Sequence, residues 1–309
     1  MAASQRDVKQ RIDSVKNIRK ITRAMEMVAA ARLRRAEQRI DQMRPYAQAI
    51  RRITQQVAEV SGQAGGRVAL LQQRDDVKRV GIILVTGDRG LAGSFNTQII
   101  RAGTQLQREL QDEGKEVSYY VVGRRGNSAL SFRGETVESA FTGFTDQPAF
   151  ANAREIGDGL AAAYVDEEID RVELIYNRYV SPLTQYVRRH TLLPLQEAEV
   201  FGEGVPEPEQ PADPELAEAH QRAEWIYEPE PEEALRQLFE EYVNLSIYRA
   251  LLESAASEHG ARMTAMRNAA ENAGDMIDRL TLEMNRVRQA EITQEILEVV
   301  GGAEALGSG

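Results

Sequence analysis

The residues best suited to chemistry form a glycine-rich loop, Thr86–Gly93, with the sequence TGDRGLAG. The loop follows a strand pattern and precedes a helical pattern, as phosphate-binding loops do. Its glycines recur at every third position, so they do not form G-x-G-x-x-G, and no Lys-Ser/Thr pair completes a P-loop. We interpret the loop as a tight turn between a strand and a helix, in which Asp88 and Arg89 form local hydrogen bonds.

Other residue types that act in catalysis are scattered along the chain. His190, His220 and His259 are too far apart to suggest a metal site, and we expect His259 to be a packed or partly exposed structural residue. Glu167 and Glu168 are typical of solvated charge at a helix end, and no Ser/His/Asp set is evident. The absence of cysteine excludes disulfides, thiolate metal sites and thiol switches. The sequence therefore predicts neither a catalytic centre nor a cofactor.

The elements that must position any functional residue include a long helix at the end of the chain. The last 78 residues contain no proline, and their apolar and small residues recur every three or four positions, as in a coiled-coil seam. A helix from Arg236 to Val300 would be about 98 Å long, at about 1.5 Å per residue, so it needs a second helix to pack against. The predicted seam comprises Leu235, Leu238, Tyr242, Leu245, Leu252, Ala256, Met263, Met266, Ala270, Ala273, Ile277, Leu280, Met284 and Val287.

The second helix is predicted at the start of the chain, where residues 1–61 contain no glycine and one proline. Ser4 is a candidate N-cap, and Pro45 is expected to bend or break the helix because it lacks an N–H group and clashes with the preceding turn. The apolar stripe steps by three and four, with one jump of five. It comprises Val8, Ile12, Val15, Ile18, Ile21, Met25, Val28, Leu33, Ala36, Ile40, Met43, Ala47, Ile50, Ile53, Val57 and Val60.

We expect the two terminal helices to pair antiparallel with a left-handed supercoil, since the repeat is close to 3.5 residues. Small residues in the predicted seam, among them Ala256, Ala270, Ala273 and those of Ala29–Ala31, allow the backbones to approach closely. An ordinary helical bundle is the alternative. The periodic run, however, far exceeds the 8–20 residues of a typical globular helix.

The middle of the chain alternates between strand and helix patterns. The predicted strands are Val80–Val85, Val117–Val122, Val137–Phe141, Val172–Tyr179 and Thr184–Leu193, and the predicted helices are Asn96–Leu110, Asn127–Phe132 and Pro148–Val165. The alternation favours parallel pairing, with the last two strands as a possible antiparallel extension. The predicted fold is α/β: a long antiparallel coiled coil of the N- and C-terminal helices plus a central Rossmann-like α/β domain.

We predict four regions: a coiled-coil helix at 1–61, the α/β domain at 62–196, an acidic proline-rich insertion at 197–233 and a coiled-coil helix at 234–309. Residues 197–233 carry thirteen acids and one arginine, and this composition predicts a disordered or extended loop. Within it, Trp225, Ile226 and Tyr227 are apolar or aromatic, and we expect them to dock onto the α/β domain.

Charge and hydropathy narrow the possible functions. Residues 1–60 carry fourteen Lys or Arg against six acids, which could indicate nucleic-acid binding, but no aromatic residue precedes Tyr46 to stack on bases. No apolar signal region and no run of 18 apolar residues occur, so we expect neither secretion nor insertion into a membrane. Two alternatives remain: a nucleotide-binding α/β enzyme with coiled-coil arms, and a scaffold or nucleic-acid-binding coiled-coil protein with an α/β domain.

Four long strings resemble the gamma-subunit family of F-type ATP synthases, in the order that the family has them. They are SVKNIRKITRAMEMVAAARLRRAE (Ser14–Glu37), LVTGDRGLAGSFN (Leu84–Asn96), ARMTAMRNAAENAGDMI (Ala261–Ile277) and RQAEITQEILEVVGGAEAL (Arg288–Leu306). The segment around Val205–Glu224 resembles an insertion relative to the bacterial pattern. The chloroplast members carry a cysteine pair for redox control, which this chain lacks, so it resembles the bacterial type.

The resemblance implies a central rotor shaft without catalysis of its own, which couples proton flow to ATP synthesis and hydrolysis. The implied partners are the alpha and beta subunits of the catalytic ring, the epsilon subunit and the c-ring of the membrane sector, with no nucleic acid and no direct membrane insertion. The implied location is the cytoplasmic face of the bacterial cell membrane, as a peripheral part of the ATP synthase complex.

The resemblance also implies roles for individual residues. Beta-subunit contact or coupling is expected at Met25, Lys20, Arg32, Arg34, Arg35, Arg262, Arg288, Gln289, Thr293 and Glu295. Contact with the epsilon subunit or the c-ring is expected at the foot of the shaft, at Tyr227 and Glu228.

Overall fold

The computed structural model describes residues 5–61, 69–182, 184–195 and 231–307. Two long helices, α1 (Gln5–Ser61) and α5 (Pro231–Gly307), flank an α/β domain. The domain contains a 3-10 turn at Ala69–Leu71, helices α2 (Phe95–Asp112), α3 (Arg124–Phe132) and α4 (Phe150–Val165), and strands β1 (Arg79–Val85), β2 (Glu116–Val122), β3 (Val137–Phe141), β4 (Arg171–Tyr179) and β5 (Gln185–Leu193).

Helices α1 and α5 pair antiparallel, as predicted. The backbone N–H of Gln5 donates to Oε1 of Glu291 at 3.3 Å, and Nε of Arg267 donates to Oε1 of Glu26 at 2.9 Å. Further along, Leu33 packs in one cluster with Ala256. Residue numbers therefore rise along one helix as they fall along the other, which fixes the direction of pairing.

The buried face of α1 differs from the predicted stripe. Ile18, Ile21, Val28 and Ile53 were expected in the seam, but each is between 43% and 59% exposed. The buried residues are Val8, Ile12, Thr22, Ala29, Leu33, Ala36, Ile50, Thr54 and Val57. These positions all fit one uninterrupted alternation of steps of four and three. The jump of five in the predicted stripe marks the error: the true seam keeps one phase by accepting Thr22 and by taking Ala29, one of the small residues expected in the seam, where the stripe has Val28.

Helix α1 runs through Pro45 without interruption, so of the predicted bend or break, the break does not occur. A proline inside a helix removes one backbone hydrogen bond and leaves the carbonyl oxygen four residues earlier, here Asp41, without its donor. Asp41, Arg44 and Tyr46 are exposed, so water can reach this part of the backbone. Exposure lowers the cost of the missing bond and lets the helix continue.

The α/β domain is a five-stranded sheet with the order β3-β2-β1-β4-β5. The first four strands pair in parallel, as predicted, and β5 pairs antiparallel with β4, an extension that the sequence had left open. Strand β1 is central, and six of its seven residues are buried. Helices α2 and α3 cover one face of the sheet, while α4 and the first part of α5 cover the other.

Helix α5 is more deeply buried than a coiled-coil stripe predicts. Every residue from Ala250 to Gly260 is buried, because this part of α5 packs on the sheet and α4 as well as on α1. Beyond Ala273 the predicted seam positions Ile277 and Leu280 are half-buried, since only α1 covers them. The helix thus belongs to the domain core at its start and to a two-helix rod further along.

Three sequence predictions lie outside the described residues: the cap at Ser4, the acidic insertion as far as residue 230, and the foot residues Tyr227 and Glu228. Within the described part of the chain, no helix combines the length and apolar character that crossing a bilayer requires.

Candidate functional site

The glycine loop Thr86–Gly93 is the socket into which α5 packs, at the carboxyl edge of the parallel strands. A Cβ atom on Gly87 would lie 2.7 Å from Oε2 of Glu258, and one on Gly90 would lie 2.6 Å from Nη2 of Arg125. The carbonyl oxygen of Gly90 accepts a hydrogen bond from Nη2 of Arg262 at 3.3 Å. The glycines therefore provide close approach to side chains of this chain, and a carboxylate occupies the place beside the loop.

Asp88 holds three loops together at this edge, whereas we expected only local bonds. Its Oδ1 accepts from the backbone N–H of Arg124 at 3.1 Å, and its Oδ2 accepts from the N–H of Gly143 at 2.8 Å and from Oγ1 of Thr145 at 3.0 Å. Burial raises the pKa of Asp88, but the hydrogen bonds from Arg124, Thr145 and Gly143 outweigh it, so the pKa lies below its ordinary value.

Helix α5 contributes a buried charged cluster that faces the socket. Glu258 and His259 are each 1% exposed and Arg262 is 8% exposed. Arg262 donates to Oε1 of Glu258, and Nε2 of His259 lies 3.2 Å from the carbonyl oxygen of Asp146. Burial raises the pKa of Glu258 although Arg262 opposes the shift, and burial lowers the pKa of His259. His259 is thus a packed residue, as predicted.

Helix α1 also reaches this region, through Arg32. We call the contact between the glycine loop, the charged cluster on α5 and Arg32 the junction. Nη1 of Arg32 donates to Oδ2 of Asp146 at 2.6 Å, and Nη1 of Arg89 lies 3.4 Å from the same oxygen. Nearby, the hydroxyl of Tyr179 donates to Oε1 of Glu37 on α1 at 2.6 Å. The two long helices and the α/β domain are therefore bonded together at one level of the molecule.

The sequence-predicted contact residues on α1 and in the middle of α5 differ in their exposure and in their partners. Arg32 and Arg262 point into the junction, so their guanidinium groups are engaged within the chain. Lys20, Arg34 and Arg35 lie exposed on α1. Met25 is half-buried beside the seam. The exposed Ile18, Ile21 and Val28 share its side of the helix, since they lie three, four or seven residues from it.

The remaining predicted residues lie near the free end of α5. Arg288, Gln289, Thr293 and Glu295 are all exposed, and Oγ1 of Thr293 donates to the carbonyl oxygen of Gln289 at 2.9 Å. Because Glu291 is level with Gln5, the first described residue of α1, helix α5 continues sixteen residues further, about 24 Å. This end exposes Ile292, Ile296, Leu297, Val299 and Val300, each at least 48%.

Sequence reasoning missed Asp146 and Glu258, which are central to the junction. Glu258 stands four residues before Arg262, and this spacing is a signal for a helical ion pair. Asp146 lies in a loop, and nothing in the local sequence indicates its two arginine partners. Among the described residues, no group of His, Asp or Glu is placed to hold a metal ion.

Comparison with known proteins identifies the family. The family model described as ATP synthase matches residues 4–306. The ATP synthase gamma chain of Rubrobacter xylanophilus is 41% identical over 308 residues, covering 99% of this chain and all of that protein. The gamma chain of Moorella thermoacetica is 40% identical over 304 residues, covering 98% of this chain and 99% of that one.

Solved structures share the fold. A chain of the Tetrahymena thermophila mitochondrial ATP synthase central stalk and c-ring has a TM-score of 0.57 at 27% identity, covering 81% of this chain and 99% of that one. A chain of the Euglena gracilis mitochondrial ATP synthase has a TM-score of 0.66 at 19% identity, covering 99% of this chain and 95% of that one. Together with the family match and the gamma-chain relatives, these likenesses lead to one conclusion: the chain belongs to the ATP synthase gamma chain family.

Proposed function

We propose that this protein is the central rotor shaft of an F-type ATP synthase and that it couples proton flow to ATP synthesis and hydrolysis. The observation that carries the proposal is the antiparallel rod bonded to the α/β domain at one junction. Beyond Arg262, α5 extends another 45 residues, about 68 Å, as far as Gly307. A rod of this length, built on a compact base, can enter a ring of other subunits and turn with its base.

The faces of the rod carry different side chains, so a surrounding subunit contacts different residues in each orientation of the rod. Lys20, Arg34 and Arg35 supply a basic surface, while Ile18, Ile21 and Val28 supply an apolar one. As the shaft turns inside a ring of alternating alpha and beta subunits, each catalytic subunit meets a different face. Each orientation therefore favours a different conformation at each site, in proportion to the difference in contact free energy.

The free end of α5 is suited to the inside of that ring. Its exposed apolar side chains include Ile296, Leu297 and Val299. Contact of these side chains with water is unfavourable, whereas their burial against an apolar collar of the ring would be favourable. Arg288, Gln289, Thr293 and Glu295 lie on the same stretch and are proposed to contact or influence the beta subunits. The apolar end centres the shaft, and the polar residues distinguish its orientations.

The α/β domain and the start of α5 form the foot of the shaft. We assign contacts with the epsilon subunit and the c-ring to this end, and Tyr227 and Glu228 precede α5 there. The Tetrahymena structure is described as central stalk and c-ring, which supports a foot of this kind. The corresponding location is the cytoplasmic face of the bacterial membrane, as a peripheral subunit.

The shaft itself is proposed to have no catalytic role. The loop that could have held a phosphate packs against Glu258 of the same chain instead. Proton-driven torque at the foot is converted into product release in the ring through the junction of Arg32, Asp146, Glu258 and Arg262. The basic surface of α1 would also suit the alternative of nucleic-acid binding, but no aromatic residue precedes Tyr46 to stack on bases, and the seam of α1 pairs with the second helix.

Co-purification at modest salt tests the proposal. A tagged chain should recover a large ATPase assembly that contains one copy of it, and the isolated chain should hydrolyse no ATP. Recovery without alpha and beta subunits, or ATP turnover by the pure chain alone, would contradict the shaft function.

A further inference from the structure

A groove with an apolar floor lies at the foot of the α/β domain, between the 3-10 turn, the end of α4 and the start of α5. Its volume is about 540 Å³, and its apolar lining comprises Ala69, Leu70, Ala161, Ala162 and Val165. Val165 is 51% exposed although it is a branched apolar residue facing this space. We call this feature the foot groove. An apolar concavity of this size accommodates large side chains.

The rim of the foot groove is acidic. Asp158, Asp166, Glu233 and Glu240 line it together with one cation, Arg236, whose guanidinium is held by Glu233 at 2.6 Å. An occupant should therefore present apolar side chains to the floor and positive charge to the rim.

Both ends of one chain segment meet the foot groove. The backbone N–H of Leu195 donates to the carbonyl oxygen of Leu70, which lines the groove, at 2.8 Å. Helix α5 begins at Pro231, and Glu233, two residues later, stands on the rim. The 35 residues between Leu195 and Pro231 are therefore bounded at both ends by residues that lie beside the groove.

That segment contains a matching sequence. Trp225 and Ile226 are the large apolar residues nearest its end, and Trp225 lies six residues before Pro231, a reach of about 20 Å in extended chain. Arg222 is the only Lys or Arg of the segment and stands three residues before Trp225, so it can approach the acidic rim.

We propose that Trp225 and Ile226 fill the foot groove and that Arg222 pairs with its acidic rim. Docking would remove the side chain of Val165 and the indole ring of Trp225 from water, and the removal of apolar surface from water is favourable. It would also fix the two residues that follow, Tyr227 and Glu228, at the foot. The proposal concerns packing within this chain and does not depend on the rotor function.

Fluorescence tests the proposal directly, because Trp225 is the only tryptophan in the chain. In the full chain, its emission should be shifted to the blue of the urea-unfolded chain, and acrylamide should quench it several-fold more slowly. Val165→Arg should abolish both differences. Val180→Arg is the matched control, since Val180 is 56% exposed and does not line the groove, and it should leave both unchanged.

Far-UV circular dichroism shows whether each variant folds. Ala162→Arg, at an exposed position of the same wall, replaces Val165→Arg if that variant does not fold. Equal quenching of Trp225 in native and unfolded chains would overturn the proposal, as would groove variants without effect. Protection of Trp225 only in the assembled complex would also overturn it, because a partner subunit would then cover the indole.

Discussion

A Cβ atom on Gly87 would lie 2.7 Å from Oε2 of Glu258, so the glycine loop and helix α5 are in contact without room for another carbon. The contact joins a loop at the carboxyl edge of the sheet to a buried carboxylate in the middle of a 77-residue helix. In α/β sheets this edge commonly binds ligands. Here it binds helix α5 of the rod.

Gly87→Ala should destabilise the chain by about 1–3 kcal/mol, because the new methyl group must displace a buried carboxylate. Gly159→Ala is the control: nothing lies within 4 Å of its added Cβ, and alanine favours a helix. Urea unfolding of both variants measures the difference. Equal midpoints for the two would show that the socket tolerates a side chain.

Arg262→Met should cost about 3–5 kcal/mol, since Glu258 would remain buried without its cation. The double variant Glu258→Met, Arg262→Met should recover most of that loss, because no uncompensated charge remains. Unfolding free energies of the single and double variants test the coupling. A double variant as unstable as Arg262→Met alone would contradict it.

The junction should give stability a characteristic dependence on pH. Glu258 has a pKa raised above its ordinary value of 4.5. Its contribution to the stability of the folded chain is therefore complete below pH 4.5 and is lost as the pH rises through the pKa of the folded state. Asp88 has a pKa below its ordinary value of 3.8, so its contribution is present above that pH and is lost as pH falls. Glu258→Gln should reduce the change in the free energy of unfolding with pH above about pH 4.5. Asp88→Asn should reduce that change at acid pH.

Neighbouring substitutions on α1 should distinguish the observed seam from the predicted apolar stripe. Ala29→Asp should weaken the rod by several kcal/mol, because Ala29 is 2% exposed and the charge would be buried. Val28→Asp should leave the thermal midpoint of the chain nearly unchanged, because Val28 is 54% exposed. Circular dichroism melts measure both, and the reverse order would restore the predicted stripe.

The basic surface of α1 should accelerate assembly with the catalytic ring. The double variant Arg34→Gln, Arg35→Gln should lower the association rate about tenfold or more at low salt, and salt near 1 M should remove the difference. The double variant Arg101→Gln, Arg108→Gln removes two exposed charges from α2 and should have little effect. Stopped-flow association at several salt concentrations tests this.

The acidic insertion should be accessible to proteases, since its composition opposes burial. Limited proteolysis should cut first between Glu203 and Glu224. Deletion of Val205–Ala219 should leave ATP hydrolysis by the assembled complex largely intact, because the deleted residues lie outside the strings that resemble the family. Loss of assembly after the deletion would show that the segment has a structural role.

The sequence by itself determined the long helices, the strands and the domain helices, but not the 3-10 turn at Ala69–Leu71. The two long helices follow from their 3.5-residue repeat, and the five strands and three domain helices from alternation and turn residues. These patterns also indicated parallel pairing with an antiparallel last strand, because strand–helix alternation leaves few other connections. The resemblance of four strings indicated the family for the same reason: it needed only the order of residues along the chain.

Only the tertiary structure decided which residues meet. Thr22 and Ala29 entered the seam over Ile18 and Val28, because one helical phase must satisfy the whole length of the partner helix and local hydrophobicity is subordinate to it. Arg262 turned into the junction because Glu258 and the carbonyl of Gly90 lie within reach, 172 residues away in the latter case. Such approaches depend on how elements pack together, and no local pattern encodes that packing.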